Sequence, residues 1–98
     1  MDSLSLSDSV TPNPDVICRV LEGEAVLLRL DAGIYYGLDP VGTRIWELIG
    51  ELGALRLVFE AVRGEYDVDE EPLERDLLQL VADLCANGLG TVSASSDR

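Results

Sequence analysis

The chain reads as an α+β domain, with a three-stranded antiparallel β-meander followed by three α-helices. Three observations carry that reading. Between residues 16 and 38, short β-type runs are separated by turn-forming Glu-Gly and Asp-Ala-Gly steps. At Asp39-Pro40 the hydrophobic period changes from two to helical spacing. From there to Leu89, apolar residues recur at three- and four-residue intervals, with breaks at Gly53, Asp67-Val68-Asp69 and Asn87-Gly88.

The first two strands are expected over Val16 to Leu21 and Ala25 to Leu30, joined by a short turn at Glu22-Gly23-Glu24. Alternation puts Val26, Leu28 and Leu30 on one face of the second strand, and Ala25, Leu27, Arg29 and Asp31 on the other. Asp31-Ala32-Gly33 then turns the chain into a third run, Ile34-Tyr35-Tyr36-Gly37-Leu38. Ile34, Tyr36 and Leu38 share one face of it, and Tyr35 points the other way, nearer to solvent. Tight turns imply a meander of order 1-2-3, which leaves the third strand at an edge. An edge strand has unpaired backbone donors and acceptors, so it can accept the strand of another chain. On that reading, proline at Tyr36 is expected to remove a donor that such a strand needs.

Asp39 supplies an N-cap carboxylate, and Pro40 fits the first helical position. Val41, Ile45, Trp46, Ile49 and Leu52 form the expected apolar stripe of the first helix, which stops at Gly53. A second helix is expected over about Leu55 to Tyr66, burying Val58, Phe59 and Val62, with Gly64 weakening its last turn. Asp69 can cap a third helix over about Glu70 to Asn87, with Glu70 and Glu71 well placed in its first turn. Pro72 is tolerated so early in a helix. Leu73, Leu77, Leu80, Val81 and Leu84 make one stripe of this helix. Leu78, Ala82 and Cys85 widen it beyond what one packing contact needs, which fits either a helix wedged into the core or one whose surplus apolar surface lines a groove. Asn87-Gly88 ends the helix, with Leu89 as a closing hydrophobic contact. Residues 1 to 14, rich in Ser, Asp, Pro and Thr, are expected to be a flexible segment in which Pro12 and Pro14 break any regular element. The domain is expected over residues 15 to 92, with residues 93 to 98 as a disordered tail.

Composition narrows the function. The 98 residues suffice for one small core and carry 19 acidic against 7 basic side chains, a formal charge of −12. A phosphate backbone would be repelled over most of such a surface, which argues against nucleic acid. Without His or clustered Cys, zinc, haem and iron–sulfur sites lack their usual ligands. The acidic run Asp67, Asp69, Glu70, Glu71 and Glu74 lacks the central Gly and the bidentate Glu of a calcium loop. Serines occur only in the terminal segments, and no Gly-rich phosphate loop follows a strand. No catalytic set, metal or cofactor is therefore expected. Cys18 and Cys85 lie in apolar runs, where thiols usually act as small buried hydrophobes. No apolar run approaches the ~18 residues of a membrane span, so the cytoplasm is the expected compartment. Three function classes fit this pattern: a peptide-binding module, a winged-helix nucleic-acid binder, and a purely structural subunit.

The ordered set Glu24-Ala25-Val26-Leu27-Leu28, Gly33-Ile34-Tyr35-Tyr36-Gly37-Leu38 and Gly42-Thr43-Arg44-Ile45-Trp46 resembles the PqqD-like family, the recognition elements for precursors of ribosomally made, modified peptides. Tyr66-Asp67-Val68 and the Leu77 to Leu89 segment, closing on Asn87-Gly88-Leu89, extend the likeness over about Val16 to Val92. Asp39-Pro40 departs from it, since the family more often has an Asn and a small polar residue there. The resemblance implies a winged-helix-like arrangement. It also implies that the leader of a precursor peptide binds as an added strand along the third strand, against the third helix. The site would comprise Ile34, Tyr35, Tyr36, Gly37 and Leu38 with Leu73, Leu77, Leu78 and Val81. Standalone chains of this length are similar to the recognition subunit of lasso-peptide biosynthesis, which partners a separate leader peptidase, and the chain is expected to be a monomer when alone. PqqD itself implies the alternative, a peptide chaperone for a radical enzyme. About five backbone hydrogen bonds at ~1 kcal/mol each and two buried anchors at ~2 kcal/mol each, less the cost of ordering the peptide, lead to an expected affinity that is micromolar or somewhat tighter.

Overall fold

Glu22 and Gly23 both take positive φ, 55° and 83°, and so close the hairpin between β2 (Ile17–Leu21) and β3 (Glu24–Arg29) in a two-residue turn of the twist such hairpins favour. The structure is a computed structural model that describes residues 4–93. Its other elements are β1 (Ser9–Pro12), β4 (Ile34–Gly37), α1 (Pro40–Leu52), α2 (Leu55–Glu65), α3 (Glu70–Ala86) and β5 (Gly90–Ser93). The meander is antiparallel in the order β2-β3-β4, followed by the three helices, as the sequence predicts. Arg29 braces the β3–β4 turn, donating from Nε and Nη2 to Asp31 at 3.2 and 2.7 Å.

One backbone junction ties sheet to helix. The Ala25 amide donates to Thr43 Oγ1 at 2.8 Å, and the Ala25 carbonyl accepts from the Leu38 amide at 2.8 Å. Thr43 is thus a buried polar side chain on α1 with its hydroxyl used. One turn earlier, Asp39 caps α1 by accepting from the Gly42 amide at 2.7 Å. Gly53, at φ 74°, ends that helix and donates to the Ile49 carbonyl. At α3 the expected side-chain cap by Asp69 does not form, and Glu70 and Glu71 carry the favourable first-turn charge instead. Its C-terminal turn closes through Gly88 (φ 74°), and the Leu89 amide donates to the Leu84 carbonyl at 2.9 Å, with Leu89 wholly buried.

The core joins the inward face of β3 (Ala25, Leu27) to Ile45, Leu48 and Ile49 of α1, the expected face of α2, and Leu73, Leu77, Val81 and Leu84 of α3. The α1 stripe differs from the expected one. Leu48 is buried, Val41 and Leu52 at the helix ends are exposed, and Trp46 is half-buried, because only the middle of the helix faces its neighbours. Cys18 is exposed on β2 rather than buried, and Cys85 is half-buried.

The N-terminal segment departs most from expectation. Residues 9–12 form a strand paired antiparallel with β5, from Ser9 opposite Ser93 to Pro12 opposite Gly90. Leu6 and Val10 are buried in the common core. The Val10 amide donates to the Gly53 carbonyl, and the Leu55 amide to the Asp8 carbonyl, so β1 is pinned to the α1–α2 corner as well. Pro12 is accommodated because it stands at the last position of the strand. Ser93 closes β5, and the remainder of the expected tail lies outside the described residues.

Candidate functional site

The free edge of β4 follows from its register. Ala25 and Leu38 form a hydrogen-bonded pair, and such pairs alternate along an antiparallel ladder. Leu27 with Tyr36, and Arg29 with Ile34, are therefore also bonded pairs, while Leu28–Tyr35 and Val26–Gly37 are not. The backbone N–H and C=O groups of Tyr35 and Gly37 point away from β3, and none has a hydrogen-bond partner among the described residues. The edge thus offers four groups, all on these two residues. The Tyr36 amide faces β3, so proline there breaks the sheet's own ladder rather than removing a donor from the edge. That corrects the role expected for it.

Beside this edge lies a cleft of about 680 Å³ between the end of β4, the first turns of α1 and the N-terminal half of α3. Leu38, Ile45, Leu73, Leu77 and Leu80 supply its apolar lining, with Val41, Val68 and Pro72. Among the described residues that line it, Asp39 and Asp76 are the charged ones. Burial first, and then the charge and hydrogen bond of Asp83 on α3, push the Tyr36 hydroxyl above the ordinary tyrosine range.

Of the residues named from the sequence, the structure brings Tyr36, Gly37, Leu38, Leu73 and Leu77 together around the cleft. Ile34 is half-buried against the core, and Leu78 is half-buried on the flank of α3; neither lines the cleft. Val81 is 0 % exposed and has no surface to offer. Tyr35 is 73 % exposed and projects from the opposite, outer face of the sheet. The sequence reading missed the α1 wall, Val41 and Ile45, together with Val68, Pro72, Asp76 and Leu80. Val41 belongs to the apolar stripe expected of the first helix, and only the packing shows that it and Val68 stay exposed.

Chemically, the arrangement can hold an extended chain by its backbone and one or more apolar side chains. Among the described residues no group of three or more His, Cys, Asp or Glu is placed to hold a metal ion, and no helix is long and apolar enough to cross a membrane.

Comparison with known proteins bears on the same region. The family model described as Coenzyme PQQ synthesis protein D (PqqD) matches residues 24–89, which run from β3 through the end of α3. The chain is also similar to a solved structure, TbiB1 in complex with the TbiA(beta) leader peptide. The two share 36% identity, the match covers 82% of this chain and 93% of that one, and the TM-score is 0.76. No curated protein matches.

Proposed function

The chain belongs to the PqqD family, and we propose that it is a non-catalytic recognition protein that binds the leader of a ribosomally synthesised precursor peptide. The leader adds as a strand to the Tyr35–Gly37 edge, lays alternate side chains in the cleft toward α3, and is delivered to a maturation enzyme. In a lasso-peptide pathway that enzyme is a leader peptidase; a PqqD-type radical enzyme is the alternative partner. The similarity to a protein solved with a leader peptide supports the ligand class. The observation that carries the reading is the juxtaposition of four unpaired backbone groups with an open apolar cleft. Ile34, Tyr35, Tyr36, Gly37, Leu38, Leu73, Leu77 and Leu78 make up or border the proposed site, while Val81 supports it from the core. The chain acts as a cytoplasmic monomer in this proposal.

The free groups also revise the energetics. About four hydrogen bonds at ~1 kcal/mol each and two anchors at ~2 kcal/mol each total about 8 kcal/mol gross. Ordering the peptide costs about 2–5 kcal/mol. The remainder corresponds to a Kd of roughly millimolar to tens of micromolar, so tighter binding needs contacts beyond these.

The test is fluorescence polarisation with a labelled synthetic peptide, the leader encoded beside this chain's gene. Tyr35→Pro should weaken binding tenfold or more relative to Tyr35→Ala, because it removes an outward amide while both variants lose the ring. Proline is compatible with an edge position, and unchanged circular dichroism checks the fold. Equal affinity of the two variants, or no saturable binding to the wild type, sinks the proposal.

A further inference from the structure

We propose that the outer face of the sheet, at a notch over Gly37 walled by Tyr35 and Val26, is a second specificity-determining contact for the strand that docks on β4. This inference rests on the strand-addition reading above. It extends recognition from the cleft to the opposite side of the same strand.

Gly37 has no backbone reason to be glycine: it is absent from the glycines with positive φ, which are Gly23, Gly33, Gly53 and Gly88. A Cβ built on it meets nothing within 4 Å, so packing within the chain does not demand glycine either. Gly37 is the last residue of β4, and glycine in a strand often marks close approach by another group. Tyr35, two residues away on the same face, is left 73 % exposed. Directly across the ladder stand Val26, opposite Gly37, and Leu28, opposite Tyr35, both half-buried. The outer face at this edge is therefore apolar, with one position lacking a side chain.

The bonding pattern determines what would meet it. A docked strand must bond to Tyr35 and Gly37, because only their backbone groups point outward. Its residues opposite those two project to the outer face, and those opposite Tyr36 project into the cleft, since side chains alternate along a strand. The docked residue opposite Gly37 lies over the notch, with the Tyr35 ring as its diagonal neighbour and Val26 beyond. Large apolar or aromatic side chains fit such a site, as they do when they cover a glycine across a strand pair. The ligand class is accordingly an extended peptide with bulky apolar residues on both faces. An amphipathic strand would keep its outer face polar.

The experiment uses the full chain and a fluorescein-labelled peptide of the leader encoded beside its gene, together with that peptide's single-alanine variants. Gly37→Val fills the notch with a residue that favours strands, so its thermal unfolding midpoint should equal or exceed that of the wild type. Its affinity for the wild-type peptide should fall tenfold or more, and Tyr35→Ala should fall at least fivefold. One peptide position should account for both losses: with alanine there, the Gly37→Val penalty shrinks to within twofold. The proposal is overturned if both variants bind within twofold of wild type, or if no peptide position couples to them. If Tyr35→Pro still loses binding relative to Tyr35→Ala in that case, strand addition stands and only the outer contact is refuted. A wild-type chain that does not bind the peptide overturns both.

Discussion

Replacing Thr43 by Val tests the junction that holds β4 beside the helices. Val keeps the shape and the β-branch of Thr and has a similar helix propensity, so the change removes little besides the hydroxyl. In the native chain, Thr43 Oγ1 accepts the Ala25 amide at 2.8 Å, and both residues are buried. The Ala25 carbonyl is already engaged with the Leu38 amide, and the chain turns into the Asp39 cap immediately afterwards. With the hydroxyl gone, the Ala25 amide loses the acceptor it has in the native chain while remaining buried. An unsatisfied buried amide costs about 1–3 kcal/mol. For a domain of this size each kcal/mol lowers Tm by about 4–8 °C, so the expected loss is roughly 4–24 °C. Thr43→Ser is the matched control: it keeps the acceptor and gives up one buried methyl, worth about 0.8 kcal/mol. Urea and thermal unfolding followed by circular dichroism rank the three proteins. A Thr43→Val chain as stable as wild type, or more stable than Thr43→Ser, would refute the reasoning.

Four further outcomes are expected. Asp39→Ala removes the acceptor of the Gly42 amide and should cost about 1 kcal/mol in urea unfolding, whereas Asp39→Asn should retain most of it. Glu22→Asn relieves a non-glycine residue at φ 55° in the β2–β3 turn and should stabilise by about 0.5–1 kcal/mol; a lower Tm would count against the turn assignment. Leu6→Ala should destabilise by about 2 kcal/mol, because Leu6 belongs to the core; a flexible segment would show no change in the unfolding midpoint. Arg44, chiefly by hydrogen bonding, holds the Glu65 carboxyl below its usual range. Since the folded value is the lower one, that contribution is complete above the ordinary carboxylate range and vanishes as pH falls through the folded value. Glu65→Gln should therefore be less stable near neutral pH and converge on wild type in acid, and a midpoint gap that widens in acid would contradict the pairing.

Local chemistry was legible wherever neighbours in sequence are also partners in space. The Glu22-Gly23 hairpin, the Asp39-Pro40 helix start, the Gly53 stop and the Leu89 closure each satisfy backbone groups within a few residues, so residue type alone announces them. The family resemblance and the third strand as an edge were legible for the same reason: the motif blocks between Glu24 and Trp46 follow one another within a short stretch, and tight turns permit one strand order. Strand β1 was not. Its ladder partner is β5, about eighty residues away, and the two apolar residues that anchor the segment, Leu6 and Val10, are diluted among Ser, Asp and Pro.

For the site, amino-acid pattern alone established which side chains share a face: Tyr36 and Leu38 inward, Tyr35 outward, and an oversupplied apolar arc on α3. Three matters waited for the folded chain. Pairing register decided that Tyr35 and Gly37, not Tyr36, present free backbone groups, because that depends on which strand residue bonds to Ala25. The packing of α1 decided that Val41 and Ile45 form a cleft wall. Depth decided that Val81 belongs to the core and Leu80 to the cleft, although both lie in the same stripe. The physical reason is common to all three. Periodicity specifies the direction of a side chain from its own backbone, whereas exposure and hydrogen-bond availability depend on what the rest of the chain places opposite it.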